Sequence, residues 1–355
     1  YNFEDRKLVE IVKATYFNPK IVVIDETTTA LSQEGREELY KHMDRIRESG
    51  NTVIFISHDL PEIIERSDTI TILRDGVYID TVKSSDVDED ALKKLMVGRE
   101  VTGDYYRSDY GEKVSDEVVL SVKNVTVPGL IENVTFDLHK GEILGFGGLS
   151  ESGMHEIGKA IFGASYDREG SVTLADGTQI NDIPTAIKHS IAYTSKDRDN
   201  ESVVLNQSIG DNICLPSLDE LAGKGPFLSD KKRRDFANTY AQQMSVKMVN
   251  VDQFVSNLSG GNKQKVVLAR WIGKDSDIVV LDSPTRGIDI KVKQDIYQLM
   301  NEMRKNGKSI IMISEELMEL IGMCDRIVIM KDGKISGELG RDEHLDENGL
   351  ISMMV

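Results

Sequence analysis

The sequence predicts an α/β protein with a parallel-sheet core, in one partial and one complete copy of the same domain. Strand-length apolar runs alternate with amphipathic segments, which is typical of a parallel sheet covered by helices. A long stretch of the chain also repeats at a fixed separation. The chain has 355 residues, 39% of them hydrophobic, which suits two domains with real cores.

The repeat joins residues that lie 257 positions apart, without insertion or deletion. Asp25 corresponds in this way to Asp282, and Ser57 to Ser314. Each copy reads as apolar strand, helix, second apolar strand, helix and a hairpin-like end. The second copy has a long preceding part, about 118–255, whose counterpart would lie before the first residue. We therefore expect three parts: the C-terminal part of a first domain at 1–99, a polar linker at 100–117 and a complete second domain at 118–355.

Composition excludes several classes of function. The formal net charge of −17 opposes binding to a phosphate backbone, so nucleic acid is not an expected partner. Cys214 and Cys324 are far apart and unpatterned, which argues against a disulfide framework or a zinc site. We interpret both as small core residues. The apolar runs are far shorter than the roughly 20 residues that span a bilayer, so no direct membrane insertion is expected.

Polar residues end two successive apolar strands of the first copy. Asp25 and Glu26 follow the run Ile21 to Ile24, and His58 follows the next strand. A carboxylate at the carboxyl end of a parallel strand can hold magnesium, and a second one beside it can polarise water. Taken singly, the acidic pair could be an ordinary helix start, and the histidine could be an ordinary surface residue.

The segment Leu258 to Gln264 opens an amphipathic helix with serine and two glycines. Such a helix start offers close backbone approach, free N–H donors and the positive end of the helix dipole, all of which suit phosphate. Alone it could be a plain N-cap. An apolar strand ending at Asp282 follows it, and this combination is more specific.

A glycine-rich loop follows the apolar strand Glu142 to Phe146. Gly148 and Gly153 keep the glycine spacing of the phosphate-binding pattern G-x-x-x-x-G-K-[ST]. Met154 replaces the lysine of that pattern, and His155 replaces the magnesium-binding hydroxyl. The alternative is a strand-to-helix turn kept only for packing.

Together these residues resemble the ATP-binding cassette family. Leu258 to Gln264 resembles its signature motif, Ile21 to Glu26 its Walker B strand and His58 its switch histidine. The resemblance covers nearly the whole chain. It implies a P-loop NTPase fold with a parallel-sheet core, a helical subdomain at about 205–272 and an antiparallel β part. It also implies ATP and Mg²⁺ as cofactors.

In that family the signature of one domain closes over the nucleotide held by the other, so the resemblance implies two composite sites. In the first, Asp25 helps to hold magnesium, Glu26 is the general base and His58 senses the γ-phosphate. The signature residues that would contact this nucleotide are Leu258, Ser259, Gly260, Gly261 and Asn262.

The resemblance implies that the second site is degenerate. Asp282 would be its magnesium ligand, but Ser283 stands in the position of the general base and Glu315 in that of the switch histidine. A hydroxyl of high pKa cannot act as a base near neutrality. The counterpart of the signature keeps neither glycine, and it places unfavourable residues near phosphate at Tyr1, Glu4 and Asp5.

The expected function is that of the ATPase subunit of a bacterial monosaccharide importer of the ribose and galactose type. The resemblance implies two permease subunits, a periplasmic or lipid-anchored sugar-binding protein and a place on the cytoplasmic face of the plasma membrane. The assignment of a sugar as the substrate rests on the tandem arrangement, on 284–289 and on Asp197 with Arg198. Nucleoside importers share these features. We expect the chain alone to hydrolyse little ATP.

Two further classes of function remain open. A tandem cassette acting on ribosomes is disfavoured by Ser283 and by the short linker. A non-catalytic nucleotide-binding module describes the chain as it stands, because the first domain's phosphate loop would lie outside it.

Overall fold

The described residues of the computed structural model are 3–17, 19–25, 27–28, 31, 33–57, 59–74, 77–89, 91–92, 95, 105–110, 114–223, 227–288, 290–341 and 347–354. The chain forms two compact units. The first unit is Tyr1–Gly103 with Asp289–Lys291, and the second is Asp104–Ile288 with Val292–Val355.

The elements of the first unit alternate between helix and strand. In chain order they are α1 (Phe3–Thr15), β1 (Ile21–Asp25), α2 (Gln33–Glu48), β2 (Thr52–Ile56), α3 (Leu60–Arg66), β3 (Thr69–Arg74) and β4 (Val77–Lys83). Strands β1 and β2 pair in parallel, and β3 and β4 form an antiparallel hairpin. Val22 and Ile24 on β1 pack with Leu39 and Met43 of α2 in a small core. Helix α2 is followed by Gly50 at a φ of 78°, which favours glycine.

The second unit begins with strands and continues through a helix-rich middle. Its strands are β5 (Val118–Val127), β6 (Ile131–His139), β7 (Ile143–Gly148), β8 (Glu169–Leu174), β9 (Ile191–Thr194), β10 (Ile278–Asp282), β11 (Ser309–Ile313), β12 (Arg326–Lys331) and β13 (Lys334–Gly340). Its helices are α4 (Met154–Ile161), α5 (Ile183–Lys188), α6 (Ile209–Cys214), α7 (Leu218–Ala222), α8 (Asp230–Gln243), α9 (Gly260–Lys274), α10 (Ile290–Lys305), α11 (Leu317–Met323) and α12 (Glu347–Met354).

Six strands of the second unit form one sheet in the order β13-β12-β7-β11-β10-β9. The pairs within it are parallel except for the β12–β13 hairpin. Every residue of β7, β10 and β11 is buried, as near-continuous apolar runs require. A separate antiparallel sheet has the order β6-β5-β8. The predicted α/β fold with a parallel-sheet core is confirmed.

The strand registers of the two units match at the separation of 257. Ile21 lies opposite Thr52 in the first unit, and Ile278 lies opposite Ser309 in the second. The two hairpins also agree, because each carries a register shift at the same place, after Ile72 in one and after Ile329 in the other. Equal registers place equivalent side chains on equivalent faces, since side chains alternate along a strand.

Part of the segment predicted as a linker packs against the second unit. The ring of Tyr106 covers Gly322 so closely that a β-carbon there would lie 2.3 Å from it. Arg107 is buried and pairs with Asp109 and with Asp325, which precedes β12. Composition did not predict this packing, because the segment is polar and its buried polar groups are paired with other polar groups.

Two absences predicted from composition can be compared with the structure. Cys214 and Cys324 are free thiols buried in the core, as predicted. In the part of the chain that the structure describes, each helix is too short or too polar to cross a membrane.

Candidate functional site

The glycine-rich loop connects β7 to α4 in the second unit. Gly153 ends the loop at a φ of 91°, directly before Met154 begins the helix. A β-carbon on Gly153 would lie 2.7 Å from the carbonyl oxygen of Leu130, and one on Gly148 would lie 2.3 Å from Ser152 Oγ. Both positions therefore exclude larger residues, whether or not the loop binds phosphate.

Neither residue that follows the loop offers a free phosphate or metal contact. Met154 is fully buried in the core and supplies no charge. His155 lies with its Nδ1 2.7 Å from Asp282 Oδ1, at the end of β10. Asp282 is itself only 2% exposed, and the hydroxyl of Ser283 donates to the same oxygen over 3.3 Å.

A second carboxylate faces the loop from the end of β11. Glu315 Oε1 accepts hydrogen bonds from Ser150 Oγ at 2.9 Å and from Lys196 Nζ at 2.6 Å, and it lies 3.3 Å from His155 Nε2. Lys196 Nζ is also 3.1 Å from His155 Nε2. We call His155, Lys196, Asp282 and Glu315 the loop network.

Contacts within the loop network shift the pKa of Glu315 and of His155. The hydrogen bond from His155 and the ion pair with Lys196 hold the pKa of Glu315 well below its usual range, against the effect of burial. Burial opposes a charge on His155, but hydrogen bonds to Asp282 and Glu315 outweigh it and raise its pKa. The network thus places an imidazole and an ammonium within hydrogen-bond distance of two carboxylates.

This arrangement does not fit a magnesium ion held in the way the family holds one. Magnesium prefers oxygen ligands, whereas an imidazole nitrogen occupies the position of the hydroxyl and already contacts Asp282. Among the described residues, no group of three histidine, cysteine, aspartate or glutamate side chains is arranged to hold a metal ion. The loop network is a site whose charges are satisfied internally.

After the end of β10, Ser283 occupies the position that the sequence interpretation compared with a general base. Ser283 follows Asp282 with a φ of 49°, a left-handed conformation that is uncommon outside glycine. Its backbone nitrogen donates to Ile313 O, which ties the ends of β10 and β11 together. The hydroxyl of Ser283 offers a hydrogen-bond donor and an acceptor in place of a carboxylate.

The signature residues stand at the start of α9. Ser259 is the N-cap and is exposed, yet its side chain does not cap the helix. Its Oγ accepts instead from Asn262 Nδ2 at 2.9 Å, which leaves the hydroxyl hydrogen free to donate to a ligand. A larger residue in place of Gly260 would crowd Arg198, because a β-carbon there would lie 3.2 Å from Arg198 Nη2. Leu258 is buried beneath the turn, and Gly261 continues the first turn of the helix.

Only part of the predicted first site falls within the described residues. Asp25 is the last residue of β1 and its side chain is exposed. Glu26, His58 and Tyr1 lie outside the described residues. Glu4 and Asp5 belong to α1.

The sequence interpretation missed the role of Lys196. It singled out Asp197 and Arg198 and gave Lys196 no role. The available signal was a pair of opposite charges, namely Lys196, and Glu315 in place of His58 of the first copy. Only the fold shows that these two positions meet.

Comparison with known proteins now adds to this geometry. Residues 131–286 match the family model described as ABC transporter. A ribose import ATP-binding protein of Clostridium perfringens (strain SM101 / Type A) is 39% identical over 348 residues, covering 98% of this chain and 69% of the relative. A xylose import ATP-binding protein of Thermoanaerobacter pseudethanolicus is 41% identical over 347 residues, covering 95% and 68%.

Solved structures agree on the fold. A dimeric ATP-binding cassette in a post-hydrolysis state, bound to ADP and Pi, superposes with a TM-score of 0.55 at 22% identity. It matches 62% of this chain and 98% of its own. Because residues 131–286 match the ABC transporter model and a relative that is 39% identical is covered over 69% of its length, the chain belongs to the ATP-binding cassette family of transporter ATPases.

Proposed function

We propose that the chain is the greater part of the ATP-binding subunit of a bacterial sugar importer. The observation that carries this proposal is the similarity, over 95–98% of the chain, to proteins named for ribose and xylose import. As a family member it binds ATP. In the complete transporter we propose two membrane permease subunits, an extracytoplasmic sugar-binding protein and attachment at the cytoplasmic face of the membrane.

We further propose that the first unit is the C-terminal part of a cassette. One face of its β1–β2 sheet exposes four apolar side chains, each between 45% and 60% exposed: Ile21, Val23, Ile54 and Ile56. Their counterparts at the separation of 257 are buried to 4% or less: Ile278, Val280, Ile311 and Ile313. In the second unit α4 covers this face, with Gly158 lying against Val280 and Ile313. An equivalent helix from the longer protein is the proposed cover for the first unit.

Hydrolysis is proposed to depend on Asp25, Glu26 and His58 of the first unit. The second unit is proposed to be degenerate. Two observations support this: the side chains of the loop network pair with one another, and Ser283 stands in the position of the base. General-base catalysis contributes about 10²–10⁴-fold, so the two sites are expected to differ by at least that much in rate.

Uptake measurements test the importer proposal. Deleting the gene in the source bacterium is expected to abolish uptake of one labelled monosaccharide among ribose, xylose and galactose, and the wild-type gene is expected to restore it. Labelled nucleosides are measured in parallel. Loss of nucleoside uptake alone would support the alternative importer class, and unchanged uptake of all of these solutes would contradict the proposal.

The loop network gives a prediction on nucleotide affinity. Glu315→Ala leaves Lys196 facing the loop without its carboxylate partner at 2.6 Å, so a phosphate oxygen of ATP gains one cationic partner. One added charge-assisted hydrogen bond corresponds to roughly tenfold in affinity, and we expect at least that gain. Equilibrium dialysis of ATP against the purified chain measures it.

The neighbouring acid supplies the control for this experiment. Glu316 is the next residue along the chain, and its carboxylate pairs with Lys293 at 2.7 Å. Glu316→Ala is therefore expected to leave ATP affinity unchanged. If Glu315→Ala binds ATP no better than Glu316→Ala, the carboxylate of Glu315 does not weaken ATP binding at the loop.

A further inference from the structure

A buried glutamate gathers three hydroxyl groups in the first unit. Glu62 lies on α3 and is 5% exposed. Its carboxylate accepts hydrogen bonds from Thr28 Oγ1 at 3.0 Å, from Tyr40 OH at 2.5 Å and from Ser57 Oγ at 2.8 Å. These donors come from three different places: the chain after β1, helix α2 and the end of β2. One side chain thus connects four segments.

The same three kinds of donor surround a buried glutamate in the second unit, at the same separation of 257, but there the threonine and the tyrosine share one oxygen and the serine bonds the other. Glu319 on α11 is 1% exposed and accepts from Thr285 Oγ1, Tyr297 OH and Ser314 Oγ. Lys293 Nζ lies 3.4 Å from the same carboxylate. Two independent copies of one hydrogen-bonded cluster show that the first is not an accident of side-chain placement.

The position of this cluster relative to the predicted catalytic residues is specific. Thr28 follows Glu26 by two residues, and Ser57 directly precedes His58. Glu62 Oε2 accepts from both Thr28 and Ser57, so a single carboxylate oxygen ties together the two peptides that carry these residues. Tyr40 contacts the other oxygen and stands on α2, away from both peptides.

The energetic reason for keeping the cluster intact is burial. A carboxylate removed from water costs several kcal/mol unless its oxygens are paired, and here three hydroxyls supply the hydrogen bonds. Each hydroxyl is fixed in return, because a donor that lost the carboxylate would itself be left unsatisfied. The cluster is therefore a rigid connection between strand ends.

We infer that Glu62 is a positioning residue for ATP hydrolysis, because it fixes Thr28 and Ser57, which neighbour the proposed catalytic residues Glu26 and His58 in sequence. Glu319 is the corresponding connection in the degenerate copy, where it has no catalytic residues to position. The inference rests on the proposed function, in which Glu26 and His58 serve hydrolysis.

The test compares Glu62→Gln with Glu319→Gln in the full-length protein assembled with its permeases. Each change removes a buried carboxylate that accepts from three hydroxyls, so we expect both to lower Tm, and Glu319→Gln to lower it more because it also takes one carboxylate partner from Lys293. A misplacement of about 1 Å at a catalytic centre costs roughly 10²-fold, and we expect a loss of that order in kcat for Glu62→Gln with little change in KM for ATP. For Glu319→Gln we expect kcat to stay near the wild-type value.

Single-hydroxyl variants keep the test decisive if Glu62→Gln does not fold. Ser57→Ala and Thr28→Val each remove one donor on a catalytic peptide and are expected to lower kcat. Tyr40→Phe removes the donor on α2 and is expected to lower Tm without lowering kcat. Equal losses of kcat in all three variants, or in Glu62→Gln and Glu319→Gln, would overturn the inference in favour of a purely structural role.

The proposed function fails separately from this inference. If Glu26→Gln retains full kcat, the assignment of the hydrolytic residues is wrong whatever Glu62 does. If Glu26→Gln abolishes turnover while folded Glu62→Gln keeps it, the proposed function stands and the positioning role is refuted.

Discussion

Glu26→Gln in the full-length protein is expected to abolish ATP hydrolysis and transport, whereas Ser283→Ala is expected to leave both nearly unchanged. Glutamine has the shape of glutamate but cannot accept a proton, so the general-base contribution of about 10²–10⁴-fold is lost. Ser283 occupies the equivalent position at the separation of 257, where no base exists to be removed. ATPase rate and solute uptake are the two measurements.

Nucleotide binding distinguishes loss of chemistry from loss of fold. Glu26→Gln is expected to bind ATP as tightly as the wild type, because the change removes a proton acceptor and no proposed phosphate contact. Comparable losses of turnover in Glu26→Gln and Ser283→Ala would mean that the hydrolytic and degenerate copies are wrongly assigned.

Arg107→Ala is expected to destabilise the second unit by about 3–5 kcal/mol, the usual cost of leaving one member of a buried ion pair alone. The Arg107 side chain is fully buried, with Nη2 2.7 Å from Asp325 Oδ1 and Nη1 donating to Met323 O at 3.1 Å. Asp325 also accepts from the backbone of Ile143 at 2.9 Å, at the start of β7. In Arg107→Ala the uncompensated charge of Asp325 would therefore lie beside β7.

Trp271 makes this measurement specific, because it is the single tryptophan of the chain and lies buried in the second unit. Urea unfolding followed by its fluorescence reports the free energy of unfolding of that unit. Lys305→Ala is the control: Lys305 pairs with Asp109 at 3.1 Å but is 53% exposed, so its loss is expected to cost less than about 1 kcal/mol. A similarly small cost for Arg107→Ala would show that the docked segment contributes little.

The repeat made much of the fold predictable from sequence. A fixed separation of 257 without gaps requires equal strand registers, and the pairs Ile21 with Thr52 and Ile278 with Ser309 show them. The glycine spacing of the loop was likewise readable, because Gly153 needs a left-handed φ and close backbone contacts. These features depend on local chain geometry, which sequence pattern reports well.

The loop network was not predictable, because it joins side chains distant in sequence. His155, Lys196 and Glu315 come from α4, from the chain after β9 and from the chain after β11, and only the strand order brings them together. Glu62 was missed for a related reason. In sequence it is one acidic residue in a helix with other acidic neighbours, and its burial depends on Thr28 and Ser57 facing it.

ATP turnover by the purified 355-residue chain reports directly on the second unit, since this chain carries the loop network together with Ser283. We predict no magnesium-dependent release of phosphate above background, while the full-length protein assayed beside it is active. Robust magnesium-dependent turnover by the 355-residue chain would contradict the claim that the second unit's phosphate loop is degenerate.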